Sequence, residues 1–268
     1  MVKPTKVIFD TNVFNELFNE NNNDPAIKYI YGKISDNTID PYISETIFTI
    51  EGIQRKQRKS VLSEQKGKIK TDTKFVGREI NMQFTIGPEK ESCVDLSEHH
   101  KMRLTAARAL NFKILCIPRI AGFNNPELKE LYGEMIIANI GTGTEMLGEC
   151  SRYIENTLSA GKHVIDEYLN DRYSGENFVK NIEKLKDDAG VGQNKIAELM
   201  GEWADGDSIA VAVAHDIDFF CTNDRARSFG KDSIFSESKR AAIEGRYAIR
   251  IVNPECLALA IQCRQGEL

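Results

Sequence analysis

Four short acidic motifs are spread along the chain, and each places a carboxylate beside apolar residues. They are Asp10 in VIFDTNVF, Glu51 in SETIFTIE, Asp207 in DGDSIAVAVA and Asp224 in FFCTND. A buried carboxylate without a cationic partner loses solvation energy or takes up a proton. If several converge, they predict a bound divalent cation. Hard oxygen ligands of this kind suit one or two Mg2+ or Mn2+ ions.

Two of these carboxylates follow apolar strand patterns. Asp10 comes directly after a strand expected over residues 5–9, and Asp224 follows a second buried strand expected over 219–221. In a doubly wound parallel sheet, ligands bind beyond the carboxyl ends of the strands, near the point where the strand order reverses. The sequence therefore predicts that Asp10 and Asp224 meet at one edge of a sheet.

The other two carboxylates are expected on helices. Ser44 is a suitable N-cap for a helix that carries Glu51 and continues toward Arg58. Asp207 begins a helix rich in alanine and valine over residues 207–215, and its spacing places it on the apolar stripe of that helix. Both helices are expected to cover the edge of the sheet at which the strand-borne carboxylates lie.

The strand-end assignments have structural alternatives. Asp10 could act only as the N-cap of the following helix, whose dipole favours an anion. Asp224 could be a turn residue, since turns favour its Thr-Asn-Asp-Arg setting. Asn12 and Thr222 are supporting candidates that could orient a carboxylate or a water molecule.

Neighbouring acids compete for the two helical positions. One of Asp205 and Asp207 is expected to cap the helix, and Asp207 is preferred as the ligand because it faces the apolar stripe. Asp205 is retained as a supporting residue. Glu45 falls in the first helical turn, where the helix dipole explains an acid, so Glu51 is preferred.

The order of predicted elements indicates an α/β protein with a parallel sheet and crossover helices. Residues 1–59 and 204–268 keep this rhythm and form the predicted core. Residues 60–203 contain too much material for ordinary connections and are interpreted as an inserted, mostly helical subdomain, part of which could complete the core. The expected elements within it are a hairpin or extended arm over 74–86, a helix over 95–110, a buried strand over 113–117 and mostly helical residues 126–200.

Charge is unevenly distributed along the chain. The net charge is −5, yet residues 54–119 hold 15 Lys or Arg against 7 Asp or Glu, a local balance of +8. Such a block can neutralise phosphates, although a solvated helix end is the simpler explanation. Beside an acidic site, the block indicates contact with a nucleic-acid backbone, through Arg55, Lys56, Arg58 and Lys59.

Composition excludes several classes of protein. No apolar run approaches the roughly 20 residues that a membrane span requires, and the N-terminus moves directly into a strand without a signal peptide. The six cysteines form no C-x-x-C pair, which argues against structural zinc. A cytoplasmic protein with reduced thiols and no membrane contact is expected.

At these motifs the chain resembles the PIN-domain family of metal-dependent nucleases. The order of strand-end and helix-start motifs carries the resemblance, over roughly residues 5–57 and 204–262: Asp10-Thr11-Asn12-Val13, Ser44 with Glu51, Asp207 before its alanine-rich stripe, and Thr222-Asn223-Asp224. The long separation of Glu51 from Asp207 departs from compact members of the family. The extra segment is expected to select substrate, gate the site or bind a partner.

The resemblance implies a PIN-like fold and a Mg2+- or Mn2+-dependent endonuclease with catalytic Asp10, Glu51, Asp207 and Asp224. It implies RNA as substrate more often than DNA. It also implies a role in a toxin–antitoxin pair, RNA processing or phage defence, with an antitoxin or another protein as partner and a homodimer as one assembly.

Two other functions compete with this one. A haloacid-dehalogenase-type phosphatase also opens with a strand ending in Asp-x-Asp, but position 12 is Asn, so its general acid is missing. A PIN-like scaffold without activity could serve RNA binding or assembly. The scaffold should bind RNA without divalent ions and show no cleavage with Mn2+.

Overall fold

The fold was obtained as a computed structural model, which describes residues 3–64, 67–76, 79–88, 92–93, 95–117, 123–137, 143–173, 178–226 and 230–266. The strands are β1 (Thr5–Phe9), β2 (Ile39–Ser44), β3 (Gly67–Val76), β4 (Glu79–Pro88), β5 (Ser92–Cys93), β6 (Lys113–Leu115), β7 (Phe123–Asn124), β8 (Ile136–Ile137), β9 (Phe219–Cys221) and β10 (Arg250–Val252). The helices are α1 (Thr11–Leu17), α2 (Pro25–Ser35), α3 (Arg58–Ser63), α4 (Glu98–Ala109), α5 (Pro126–Tyr132), α6 (Gly143–Arg152), α7 (Lys162–Tyr173), α8 (Phe178–Leu185), α9 (Gln193–Ala214), α10 (Glu237–Arg246) and α11 (Pro254–Gln265).

A six-stranded parallel sheet lies at the centre, in the order β10-β9-β1-β2-β6-β8. This confirms the prediction of an α/β fold with a parallel sheet flanked by helices. The chain leaves β1 toward β2 on one side, whereas β9 lies on the other side of β1 and leads to β10. The strand order therefore reverses between β1 and β9, which is where a doubly wound sheet opens a crevice for ligands.

Both faces of the sheet are buried, as the continuous apolar runs of its strands require. Val7 and Phe9 point into a cluster formed with α1, α2, α4, α5 and α11. Ile8 and Phe220 point to the opposite face, toward α6, α10 and the second half of α9. The residues of β1 alternate between the two faces, which fixes the register of the strand against its neighbours.

A third apolar cluster is mostly helical. It joins α3, α7, α8 and the first half of α9 to Ile50 and Ile53 of the turns after β2, and it includes the buried Trp203. Helix α9 therefore belongs to two cores, one helical along its first half and one against the sheet along its second. The cavity described below lies beside the point on α9 where these two environments meet.

The segment 60–203 contributes to the sheet as well as to the helical cluster. Strands β6 and β8 extend the sheet beyond β2. Strands β3 and β4 pair antiparallel and cover the predicted 74–86 arm apart from residues 77–78, which lie outside the described residues. Among the helices of the described ranges, none combines the length and apolar character needed to cross a membrane.

Candidate functional site

A cavity of about 410 Å³ opens beside the carboxyl ends of β1 and β9, at the reversal of strand order. Its wall is formed by α1, the segment between β2 and α3, the middle of α9 and the segments that follow β9. The lining residues include six acids and two arginines: Asp10, Glu51, Glu198, Glu202, Asp205, Asp224, Arg55 and Arg58. Three of the four predicted ligands, Asp10, Glu51 and Asp224, are therefore brought together.

Asp10 is held by hydrogen bonds to both carboxylate oxygens. Its Oδ1 accepts from the backbone amide of Thr11 at 2.7 Å, so Asp10 does cap α1. Its Oδ2 accepts from the Thr222 hydroxyl at 2.6 Å and from the Asn12 amide at 2.5 Å. The supporting residues Asn12 and Thr222 thus orient Asp10, and capping α1 does not prevent the carboxylate from lining the cavity.

Asp224 likewise combines a turn with a place in the cavity wall. Its Oδ1 accepts from the amide of Ala226 at 2.7 Å, which is the turn geometry that its sequence favours. Its own amide donates to the Thr222 hydroxyl at 2.9 Å. Thr222 therefore connects both strand-end acids, because one hydroxyl donates to Asp10 and accepts from the backbone of Asp224.

Glu51 reaches the cavity from an irregular segment, and the predicted helix from Ser44 toward Arg58 is wrong. Ser44 caps only a short 3-10 turn over Glu45–Ile47, and the chain then continues in turns. The tightness of these turns is visible at Gly52, where an added Cβ would lie 2.9 Å from the carbonyl oxygen of Phe48. A residue with a side chain does not fit there without a shift of the backbone.

The preference for Glu51 over Glu45 agrees with this geometry. The Glu51 carboxylate accepts a hydrogen bond from the Thr11 hydroxyl, one residue after Asp10. Glu45 instead accepts from the backbone amide of Ile117 at 2.9 Å and so ties the end of β2 to the segment after β6. Glu45 therefore has a structural role away from the cavity.

On α9 the structure brings Asp205, and not Asp207, to the cavity. Asp207 lies instead within electrostatic reach of Glu155: burial raises the pKa of Glu155, and Asp207 raises it further. The apolar-stripe criterion selected the other acid because residues 208–214 of this helix are buried on every side. A stripe therefore does not distinguish the faces of α9, and Asp205 replaces Asp207 as the ligand candidate.

Sequence reasoning missed Glu198 and Glu202, which line the cavity together with Asp205. Their spacing of four and then three residues places all three on one face of α9, and this spacing is the signal that could have found them. Glu202 is buried and accepts from the backbone amide of Ile234 at 2.5 Å. It connects α9 to the segment that precedes α10.

Burial and neighbouring negative charge raise the pKa values of three acids around the cavity, Asp10, Glu51 and Asp205. Burial raises the pKa of Asp205 well above its ordinary value, and the nearby Asp10 and Glu51 raise it further. Burial also raises the pKa of Glu51 to about 7, with Asp10 adding to the effect and the Thr11 hydroxyl and Arg58 opposing it. For Asp10, burial is the largest cause of a raised pKa, and Thr222 opposes it. Such a cluster favours a bound cation.

The four predicted nucleic-acid contacts divide into two pairs. Arg55 and Lys56 are exposed, and Arg55 lines the cavity. Arg58 is buried and donates to three backbone carbonyls. Lys59 donates through Nζ to the carbonyls of Asp188 at 2.5 Å and Val191 at 3.1 Å. In this conformation Arg58 and Lys59 hold the protein together, which makes Arg55 and Lys56 the better candidates for phosphate contact.

The donor set fits a hard divalent cation, since six carboxylates line the cavity. Within the described ranges, no three His, Cys, Asp or Glu side chains are gathered closely enough to form a compact metal centre. The carboxylates instead ring a cavity that also has space for water. This arrangement suits Mg2+, which usually keeps several of its waters and binds proteins through one or two carboxylates.

Comparison of the chain with protein-family models, with curated proteins and with solved structures finds no significant match.

Proposed function

We propose that the chain is a Mg2+- or Mn2+-dependent endonuclease that hydrolyses phosphodiester bonds, with RNA preferred over DNA as substrate. One observation carries this proposal: Asp10, Glu51, Asp205 and Asp224, which are distant in sequence, line one cavity at the reversal point of a parallel sheet. The resemblance of the strand-end motifs to PIN nucleases supports the same reaction.

Within this proposal, the four carboxylates bind a hydrated metal ion, directly or through its waters, and their neighbours hold the carboxylates. Asn12 and Thr222 fix Oδ2 of Asp10, and the Thr11 hydroxyl fixes Glu51. A bound divalent ion would lower the pKa of a water molecule and neutralise charge on the phosphate. Arg55, exposed at the cavity, is placed to contact a phosphate of the substrate.

Two features weigh against the alternative functions. The Asn12 amide donates to Asp10, so position 12 supplies a hydrogen bond and not the general acid that a haloacid-dehalogenase-type phosphatase needs. Six acids around one cavity repel one another and destabilise the folded protein unless a cation binds. An inactive scaffold that binds no cation would gain nothing from this arrangement. Cleavage assays separate the scaffold from the nuclease.

The test is cleavage of labelled single-stranded RNA and DNA by the wild type and by Asp10→Asn, with Mg2+, Mn2+ or EDTA. We expect cleavage that requires metal and is lost in the variant. The loss should exceed about 100-fold, because even outer-shell partners of metal ligands contribute ~10–100-fold. RNA binding in EDTA without any cleavage in Mn2+ would instead establish the scaffold.

A further inference from the structure

Arg58 occupies the junction between the segment that carries Glu51 and the helix that carries Asp205. Its guanidinium donates from Nε to the carbonyl of Ile53 at 3.1 Å and from Nη2 to the carbonyl of Glu51 itself at 3.0 Å. Its Nη1 donates to the carbonyl of Ala197 on α9 at 2.7 Å. One planar group therefore connects the segment that carries Glu51 to helix α9.

The surroundings of Arg58 distinguish it from an ordinary surface cation. The residue is 9% exposed and lies within electrostatic reach of both Glu51 and Asp205. The segment around Glu51 is built from turns and lacks the support of a regular helix. A buried fork of donors is suited to fix such a segment, since guanidinium presents its N–H groups in a rigid plane that a lysine ammonium does not reproduce.

We propose that Arg58 is a positioning residue that sets the location of Glu51 relative to Asp205, and that it does not contact the substrate. This inference rests on the metal-binding role of the cavity in the proposed function. Arg58 acts through the backbone of residues 51–53 and through α9, and its positive charge partly offsets the negative charge of Glu51.

Lys59 provides a matched control on the same helix. Its Nζ also donates to backbone carbonyls ahead of α9, those of Asp188 and Val191, but Lys59 is not part of the cavity wall. Lys59→Met should therefore weaken a comparable connection between α3 and the segment that precedes α9, without changing the position of Glu51. Arg58→Lys keeps the positive charge and removes only the fork of donors.

The experiment measures Mn2+ affinity from the electron paramagnetic resonance signal of free Mn2+, together with amide hydrogen exchange without metal. Arg58→Lys should weaken Mn2+ binding about tenfold or more and speed exchange over residues 46–54. Lys59→Met should change Mn2+ affinity less than about twofold and speed exchange over residues 188–193 instead. Unchanged exchange in β1 and β9 shows that the sheet is intact.

A double-mutant cycle tests whether Arg58 acts through Glu51. In a Glu51→Gln background, Arg58→Lys should weaken Mn2+ binding by much less than in the wild type, because its effect depends on the Glu51 carboxylate. Equal losses in both backgrounds would overturn the proposal. If Arg58→Lys folds poorly, Arg58→Gln, which retains an N–H donor but not the fork, gives the same comparison.

Other outcomes are also decisive. Weaker RNA binding in EDTA with unchanged Mn2+ affinity would make Arg58 a phosphate contact and overturn the proposal. If the wild type does not bind Mn2+, the proposed function fails, and the exchange measurement alone decides the role of Arg58. Unchanged exchange over residues 46–54 in Arg58→Lys would then overturn that role, while faster exchange there would support it.

Discussion

The two sides of the cavity are built in different ways. Asp10 and Asp224 follow parallel strands, and one hydroxyl, that of Thr222, connects them over a short distance. Glu51 and Asp205 lie on an irregular segment and on a long helix, and the buried guanidinium of Arg58 connects these two elements. The first side depends on the sheet, whereas the second depends on packing between elements that are remote in sequence.

The largest effect on metal-dependent cleavage is expected on α9, where Asp205 and Asp207 are separated by one residue. Asp205→Asn should reduce metal-dependent cleavage by more than about 100-fold, because Asp205 lines the cavity and even outer-shell groups contribute ~10–100-fold. Asp207→Asn is the matched control and should retain activity within about threefold, as expected for a residue outside the site. A loss in Asp207→Asn equal to that in Asp205→Asn would restore the assignment made from sequence.

A smaller effect is expected on the strand side from Thr222→Val, which preserves side-chain shape and removes the hydroxyl. Asp10 would lose a donor at 2.6 Å, and the amide of Asp224 would lose its acceptor. Mn2+ affinity should fall ~10–100-fold, the usual range for partners that orient metal ligands. Thr222→Ser, which keeps the hydroxyl, should recover most of the affinity. Equal affinity of Thr222→Val and wild type would show that the sheet alone positions Asp10.

The pH dependence of stability tests the link between α9 and the segment before α10. Burial raises the pKa of Glu202 from 4.5 to about 7. Between these values the unfolded chain releases a proton that the folded chain retains, so the free energy of unfolding falls as pH rises. Glu202→Gln removes this penalty and keeps an oxygen that can accept from Ile234.

The stability that Glu202→Gln gains over wild type is expected only at high pH. Relative to wild type, Glu202→Gln should be more stable at pH 8 than at pH 4.5 by roughly 1–3 kcal/mol, since one pKa unit corresponds to about 1.4 kcal/mol. Chemical denaturation in EDTA at both pH values measures this difference. An identical difference between variant and wild type at the two pH values would show that folding does not raise the pKa of Glu202.

The two sides of the cavity also differ in how far the sequence predicts them. The strand over 219–221 and the acids at the strand ends follow from local patterns of apolar residues, and β9 has these bounds. The sequence places Glu51 in the candidate site but assigns it the wrong helix, because Arg58 ties the turns around Glu51 to the carbonyl of Ala197, a contact remote in sequence. Asp205 was not preferred because α9 is buried on several sides, so its periodicity does not reveal which face meets the cavity.

The smallest expected effect concerns the basic segment, where the exposed and anchored cations should behave differently. If Arg55 contacts one phosphate of single-stranded RNA, Arg55→Ala should reduce the slope of log affinity against log salt by about 0.7, the value for one neutralised phosphate on a single strand. Lys59→Met should leave the slope unchanged, because the Lys59 ammonium is occupied by two carbonyls. Binding measured in EDTA over a series of salt concentrations tests both. An equal change of slope in Lys59→Met would mean that RNA draws Lys59 away from these carbonyls, and the basic segment would then rearrange on binding.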